Sequence, residues 1–538
     1  MAQQGSTSES ITGDNSNRST RRRELQTSSK GFVSFVFSLL GLGLLVPWNA
    51  FISAKPYFES RICSKLAVQG NIEVLISLVF TSSSVLSLFL MITYQTVKDR
   101  FLLKQQQTST TTGAPTTIDG PLLTNPSNEE ASYNHNWYMV CLPLFIYFTV
   151  FGALALLVFF PAIPALVFYI FMIASLAICG IMVAVASAGV VSTANRFPPN
   201  EGIAHFFSGQ AIGGVAVSGA QFLAAVFADH SVYWESQCEA MGQLIDVSES
   251  NSHGATTCVP YTKVDWPTFV YFFLGSLVLG SCIIGYNEID KYLRKKVHNN
   301  YESVQDISED VEEESPCGTS DFPFNQSPFP TTNASNDNEI EAENNVSLAG
   351  PTTLVWNEVK GPATCIFLVF LVTLAVFPAW TSTLKSTHQC ESQHPLARLS
   401  NDLYIPATFV IFNLGDLTGR LLAERMALHT IIGLSTKLVI FASFRGVFFG
   451  LFLLCAANKS AIPSIPSDFF SLSVQFLFAM SNGGLISAAF MHASNLVPNT
   501  AEMQARSSEI LSFALSFGLL CGSLLSFFYT NLASGDWW

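Results

Sequence analysis

The chain has 538 residues, 49% of them hydrophobic and only 12% charged, against about 25% charged in an average soluble protein, and its mean hydropathy is +0.37. That balance does not describe an ordinary soluble enzyme. The formal net charge is −13, but fifteen acids and five bases fall between Asn287 and Lys360, so the acidity belongs to one loop and the chain is no nucleic-acid binder.

The first 31 residues are polar, and the apolar stretch after them is too long for a secretory signal and has no clear cleavage site, so it reads as a retained first span. Crossing a hydrocarbon core takes roughly 20 apolar residues. Eleven runs of that kind are predicted, at 32–53, 73–95, 138–160, 163–187, 203–228, 266–286, 361–384, 404–424, 434–457, 469–494 and 508–533. The third and fourth are separated only by the corner from Pro161 to Pro164, and the tenth is rich in Ser, Gly and Asn. The expected fold is an all-α polytopic membrane protein set in a lipid bilayer.

With the amino terminus inside, the inner segments hold sixteen Lys and Arg and the outer segments seven, which fixes the orientation and puts the carboxyl terminus outside. Residues 1–31 form a disordered cytoplasmic tail on this reading. A first bundle of six spans covers 32–286, with a disordered insertion at 96–136. The acidic segment 287–360 forms a disordered cytoplasmic loop, and a second bundle of five spans covers 361–538. Glycosylation triplets at Asn325, Asn333 and Asn345 argue for the opposite placement of the long loop. Such triplets arise by chance in a tract rich in Asn and Ser, and the base count is preferred. Cys63, Cys238, Cys258 and Cys390 then face an exterior that permits disulfides, with the pairing open. The eleven cysteines include no CxxC pair or Cys/His cluster, so no metal and no cofactor is expected.

Span eight carries the clearest anomaly. Asp416 and Arg420 are one helical turn apart on one face, with Asn413 a turn before them. A charge at membrane depth costs on the order of 2.5 to 3.5 kcal/mol unless it is paired or wetted. The three residues therefore face a polar interior where they can hold the hydroxyls of a solute; the plainer alternative is a structural ion pair with Arg420 reaching to the inner surface. In span one, Trp48 can stack on a planar ligand and Asn49 adds a donor and an acceptor, beside a kink at Pro47. The competing reading for Trp48 is an interfacial anchor. Span five opens with His205 and continues through Ser208, Gly209 and Gln210, where Gly209 permits close helix approach and Gln210 can bridge helices. His205 and His492 are lone histidines near span ends that can relay protons, as can Glu73 beside span two. There is no nucleotide-binding P-loop, no arginine ladder and no channel filter string, which favours a passive or ion-coupled carrier over a pump, a channel or an enzyme.

Together these strings resemble the equilibrative nucleoside transporter family. The matching pieces are Pro47-Trp48-Asn49-Ala50-Phe51-Ile52; Phe197-Pro198 followed by Ser208-Gly209-Gln210; Phe377-Pro378-Ala379; Phe412-Asn413 with Asp416 and Gly419-Arg420; and Ser481-Asn482-Gly483. The resemblance implies a six-plus-five bundle similar to the major facilitator fold, moving nucleosides or nucleobases by alternating access. It also implies Trp48 beside the base, Asp416 and Arg420 at the sugar with Asn413 in support, and Gly209 in packing; Asn49 is expected as a further substrate contact, and Pro47, Gln210 and Pro378 in packing or gating. The family usually carries a glutamine in span four, yet Ile181–Asn195 contains none, which leaves base preference open. Proton coupling, organic-cation transport and a receptor or scaffold role built on the acidic loop are the alternatives. The plasma membrane is the default location, with Asp119-Gly120-Pro121-Leu122-Leu123 resembling a sorting signal for endosomes or lysosomes.

Overall fold

The computed structural model describes residues 11–62, 72–110, 126–227, 265–312, 351–390, 397–426, 433–456, 465–498 and 500–534. The described residues are almost entirely helical, as a chain in hydrocarbon must be when no water can satisfy its peptide groups. The amino-terminal half contains α1 (Ile11–Ser53), α2 (Lys55–Ile62), α3 (Ile72–Thr110), α4 (Pro126–Leu157), α5 (Ala165–Ala194), α6 (Ile203–Phe227) and α7 (Trp266–Glu312). The carboxyl-terminal half contains α8 (Pro351–Val376), α9 (Ala397–Ser400), α10 (Tyr404–Arg425), α11 (Leu434–Phe444), α12 (Val447–Leu453), α13 (Asp468–Leu496) and α14 (Ala501–Ser534).

Ten stretches among the described residues, not the eleven expected, are both long and apolar enough to cross a membrane. The remaining predicted span is α10, whose 22 residues make about 33 Å of helix at 1.5 Å per residue, but Asp416, Arg420, Glu424 and Arg425 keep it from being apolar. The ninth span is broken into α11 and α12 at Arg445-Gly446. The tenth, despite its Ser, Gly and Asn content, is one continuous helix, opened by Ser467, whose side chain accepts from the Phe470 amide at 3.3 Å.

Several predicted limits need correction. Helix α1 begins within the supposedly disordered tail of residues 1–31. Helices α3 and α4 extend into the 96–136 insertion, and α7 and α8 extend into the 287–360 loop. Where α7 leaves its apolar stretch, Lys291 with Glu288 and Arg294 with Asp290 form ion pairs one turn apart, so helix continues on charge after apolarity ends. Residues 111–125 and 313–350 lie outside the described residues.

Helix α1 packs along α6 and α7, α4 along α5 and α7, and α3 along α5; in the second half α8 packs along α14 and α10 along α13. The halves meet where α6 packs on α10 and where α14 packs on α3 and α5. Small residues permit the closest of these approaches. A Cβ on Gly209 would run into the Ser38 carbonyl of α1, and one on Gly483 would run into the Asp416 carbonyl of α10. The core of the first half is aromatic, with Phe51, Phe151 and Phe272 meeting edge to face at 5.5 to 6.2 Å.

Candidate functional site

Asp416 and Arg420 both face the protein interior, only 6% and 7% exposed, so neither meets lipid. Arg420 Nε donates to Asp416 Oδ2 at 2.8 Å. The other carboxylate oxygen accepts from Asn482 Nδ2 of α13 at 2.7 Å, and Asn482 Oδ1 in turn accepts from the Thr373 hydroxyl of α8 at 2.8 Å. The far end of Arg420 reaches into the other half of the molecule: Nη1 donates to the Phe207 carbonyl at 2.9 Å and to Gln210 Oε1 at 3.3 Å, and the guanidinium lies 5.6 Å from the centre of the Phe207 ring. One acid–arginine pair thus ties α8, α10 and α13 to α6.

A cavity opens one turn from the pair. Trp48, Asn49, Gly214, Phe377, Pro378 and Asn413 are among its lining residues. A neighbouring space shares Trp48 and Pro378 and adds Ser77 and Ser523. Trp48 is half-buried, its ring 5.2 Å from that of Phe80, and it forms part of the cavity wall. Asn49 Nδ2 is buried with no hydrogen-bond partner among the described residues. A buried donor costs on the order of 1–3 kcal/mol when left unmade, so this amide calls for an acceptor in the cavity. Asn413 Nδ2 donates to the Phe409 carbonyl at 2.9 Å, and its other amide atom packs on Gly214 of α6. Opposite, Phe377 stacks on Phe412 with centroids 3.8 Å apart and planes 4° from parallel, next to the cis Phe377-Pro378 peptide.

The structure therefore brings Trp48, Asn49, Asn413 and Pro378 to one cavity and places Asp416 and Arg420 a turn behind Asn413 rather than among the lining residues. Pro47 is buried in α1 next to the cavity, Gly209 packs on α1, and Gln210 is bonded to Arg420. Neither histidine lines these spaces; His492 pairs with Ser435 at 3.0 Å. The side chain of Glu73 and residues Cys63, Cys238 and Cys258 lie outside the described residues, while Cys390 is disulfide-bonded.

Sequence reasoning from the residues missed Thr373, and it reached Asn482 only through the resemblance. It also missed the second junction of the halves, where Arg506 of α14 donates to Asp99 Oδ1 of α3 at 2.9 Å, both side chains 7% exposed. Thr352 donates to Asp99 Oδ2 at 2.9 Å, and Glu509 lies 4.0 Å from Arg506.

A multi-pass membrane protein with a cavity between two helical halves and a buried ion pair beside it is built as a solute carrier. The model of the nucleoside transporter family matches residues 255–531, more than half of the chain, and the chain belongs to that family. It is 25% identical to nucleoside transporter FUN26 of Saccharomyces cerevisiae over 520 residues, covering 94% of this chain and 85% of the yeast protein. It is 32% identical to equilibrative nucleoside transporter 2 of Homo sapiens over 181 residues, 33% of this chain and 37% of the human protein. Among solved structures, a bacterial homologue of the iron transporter ferroportin in an outward-facing state overlays 93% of this chain and 91% of that one, at 12% identity and a TM-score of 0.45.

Proposed function

We propose that this chain moves nucleosides down their gradient by alternating access, binding them between Trp48 and Asn49 of one half and Asn413, Asp416 and Arg420 of the other. The observation that carries this reading is the pairing of an indole wall and an unpartnered amide with a buried acid–arginine couple one turn away. A nucleoside has the same division, a flat base that stacks and a ribose with vicinal hydroxyls. A carboxylate accepts from such hydroxyls, and a guanidinium donates to them.

Substrate favours whichever state holds it better, and neither binding nor release consumes chemical energy on this route. Gln210 and the Phe207 carbonyl supply Arg420 with neutral partners across the interface, which a ribose or water can replace as the halves part. Pro47, Gly209 and Pro378 keep the helices close enough for those contacts to form. On the base count the amino terminus faces the cytoplasm and the carboxyl terminus the exterior, with the plasma membrane as the compartment. Trp48 then sits in the outer part of α1, and the Asp99–Arg506 junction closes the inner end.

Uptake of radiolabelled adenosine and uridine in transport-deficient cells tests the reading. Saturable uptake is expected, and Trp48→Ala should raise KM about tenfold, since stacking on a base contributes about 1–3 kcal/mol. Saturable uptake of neither nucleoside by surface-expressed protein overturns it.

A further inference from the structure

Four arginines among the described residues are buried: Arg61, Arg420, Arg445 and Arg506. Arg420 and Arg506 each bond an acid, and Arg61 donates to the carbonyls of Phe160 and Pro161 at the edge of the first half. Arg445 has neither arrangement. It sits at the break between α11 and α12, 2% exposed, and its Nη2 donates to the Thr373 hydroxyl at 2.9 Å. Its guanidinium lies over the Phe478 ring at 4.7 Å, and Nε and Nη1 have no hydrogen-bond partner among the described residues.

The same Thr373 hydroxyl holds Asn482, which holds Asp416. Arg445 is therefore three hydrogen bonds from the carboxylate that already neutralises Arg420. The residue after Thr373, Leu374, lines both spaces beside Trp48, so Arg445 is bonded to a helix that forms part of the cavity wall. Among the described residues the buried charges joined through Thr373 and Asn482 are Asp416, Arg420 and Arg445, one negative and two positive. The opposing acids Asp99 and Glu509 belong to the Arg506 junction on α3 and α14. A full charge in a low-dielectric interior is weakly screened, and its field reaches across the cavity.

We propose that Arg445 determines the charge selectivity of this carrier: its guanidinium, which shares the one carboxylate of this region with Arg420 and bonds no acid itself, gives the cavity a positive sign that admits neutral nucleosides and rejects cationic solutes of the same shape. The inference rests on the nucleoside-carrier reading and extends it to a residue that touches neither the cavity nor the substrate.

The test compares two isomeric competitors of labelled adenosine at pH 7, the neutral N6-methyladenosine and the cationic 1-methyladenosine. In the native protein the cationic isomer should compete at least about tenfold more weakly, the scale of a like-charge penalty. Arg445→Gln keeps a donor for Thr373 without the charge and should bring the two within about threefold. Should the Gln variant fail to insert, Cys365→Asp offers a second route, because Cys365 of α8 lies within the electrostatic reach of Arg445 and a carboxylate there neutralises it in place. Equal competition in the native protein, or discrimination that survives loss or neutralisation of the charge in an inserted variant, overturns the inference. Absence of saturable adenosine uptake in the native protein instead defeats the carrier reading itself.

Discussion

Both halves line the cavity with rings and amides, but the buried charges beside it belong to the second half alone among the described residues. Trp48, Asn49 and Gly214 come from α1 and α6; Asp416, Arg420 and Arg445 come from α10 and the break in the ninth span. Across the middle of the interface the charged side therefore meets neutral partners, Gln210 and the Phe207 carbonyl. At the Asp99–Arg506 junction the halves meet charge to charge instead. Neutral contacts exchange readily for substrate or water, and a buried ion pair does not. The middle is thus suited to binding and release, and the Asp99–Arg506 end to holding a closed state.

The largest way to break this contrast is Asp416→Asn. The amide is nearly isosteric, but it leaves Arg420 uncompensated and turns one of the two accepting oxygens into a donor facing a donor. Removing one member of a buried pair costs about 3–5 kcal/mol. Nucleoside uptake by surface-expressed variant should fall at least about a hundredfold, at roughly tenfold per 1.4 kcal/mol. Uptake within a few-fold of native would show the pair to be dispensable.

Arg506→Gln sharpens the other side of the contrast with a smaller effect. On the proposed orientation the pair closes the inner end, and Asp99 keeps the Thr352 hydroxyl when Arg506 is lost, so the change should be smaller than at Asp416, a population shift of about 1–2 kcal/mol towards the state open there, roughly 5- to 30-fold. A cysteine placed at Ile52, which lines the cavity, reports the shift. An impermeant thiol reagent added outside should label it several-fold more slowly in the Arg506→Gln background. An unchanged or faster rate would show that the pair does not hold the outward-open state.

What the sequence revealed follows the same division. Asp416 and Arg420 stood out because two charges a turn apart in an apolar run need a polar interior, and Asn413 follows from helical periodicity. Arg445 carries the same signal inside Phe441–Gly450, a run otherwise apolar or small, but it has no acid one turn away to mark it as part of a pair. Arg506 and Glu509 lie at the edge of a window predicted to begin at residue 508, so the polar first turns of α14 passed for loop. The Phe207 carbonyl has no side-chain signature and was legible only in three dimensions. The helical extensions into 96–136 and 287–360 were missed for a related reason: apolar content marks where a membrane begins, whereas i,i+4 charge pairing carries helix beyond it.

The smallest predicted effect is at a purely neutral contact between the halves. Ser77 of α3 and Ser523 of α14 share a hydrogen bond of 2.7 Å beside the second space, with Ser523 also donating to the Leu519 carbonyl at 2.9 Å. A hydroxyl pair of this kind contributes only about 0.5–1.5 kcal/mol net, and removing both partners leaves no unmatched group behind. Ser77→Ala or Ser523→Ala alone should therefore change uptake by no more than about threefold, and the double variant should be no worse than either single one. Strongly additive losses, or a tenfold loss from one hydroxyl, would mean that neutral contacts hold the halves as firmly as the Asp99–Arg506 pair. The division between a releasable middle and a locked end would then have no energetic basis.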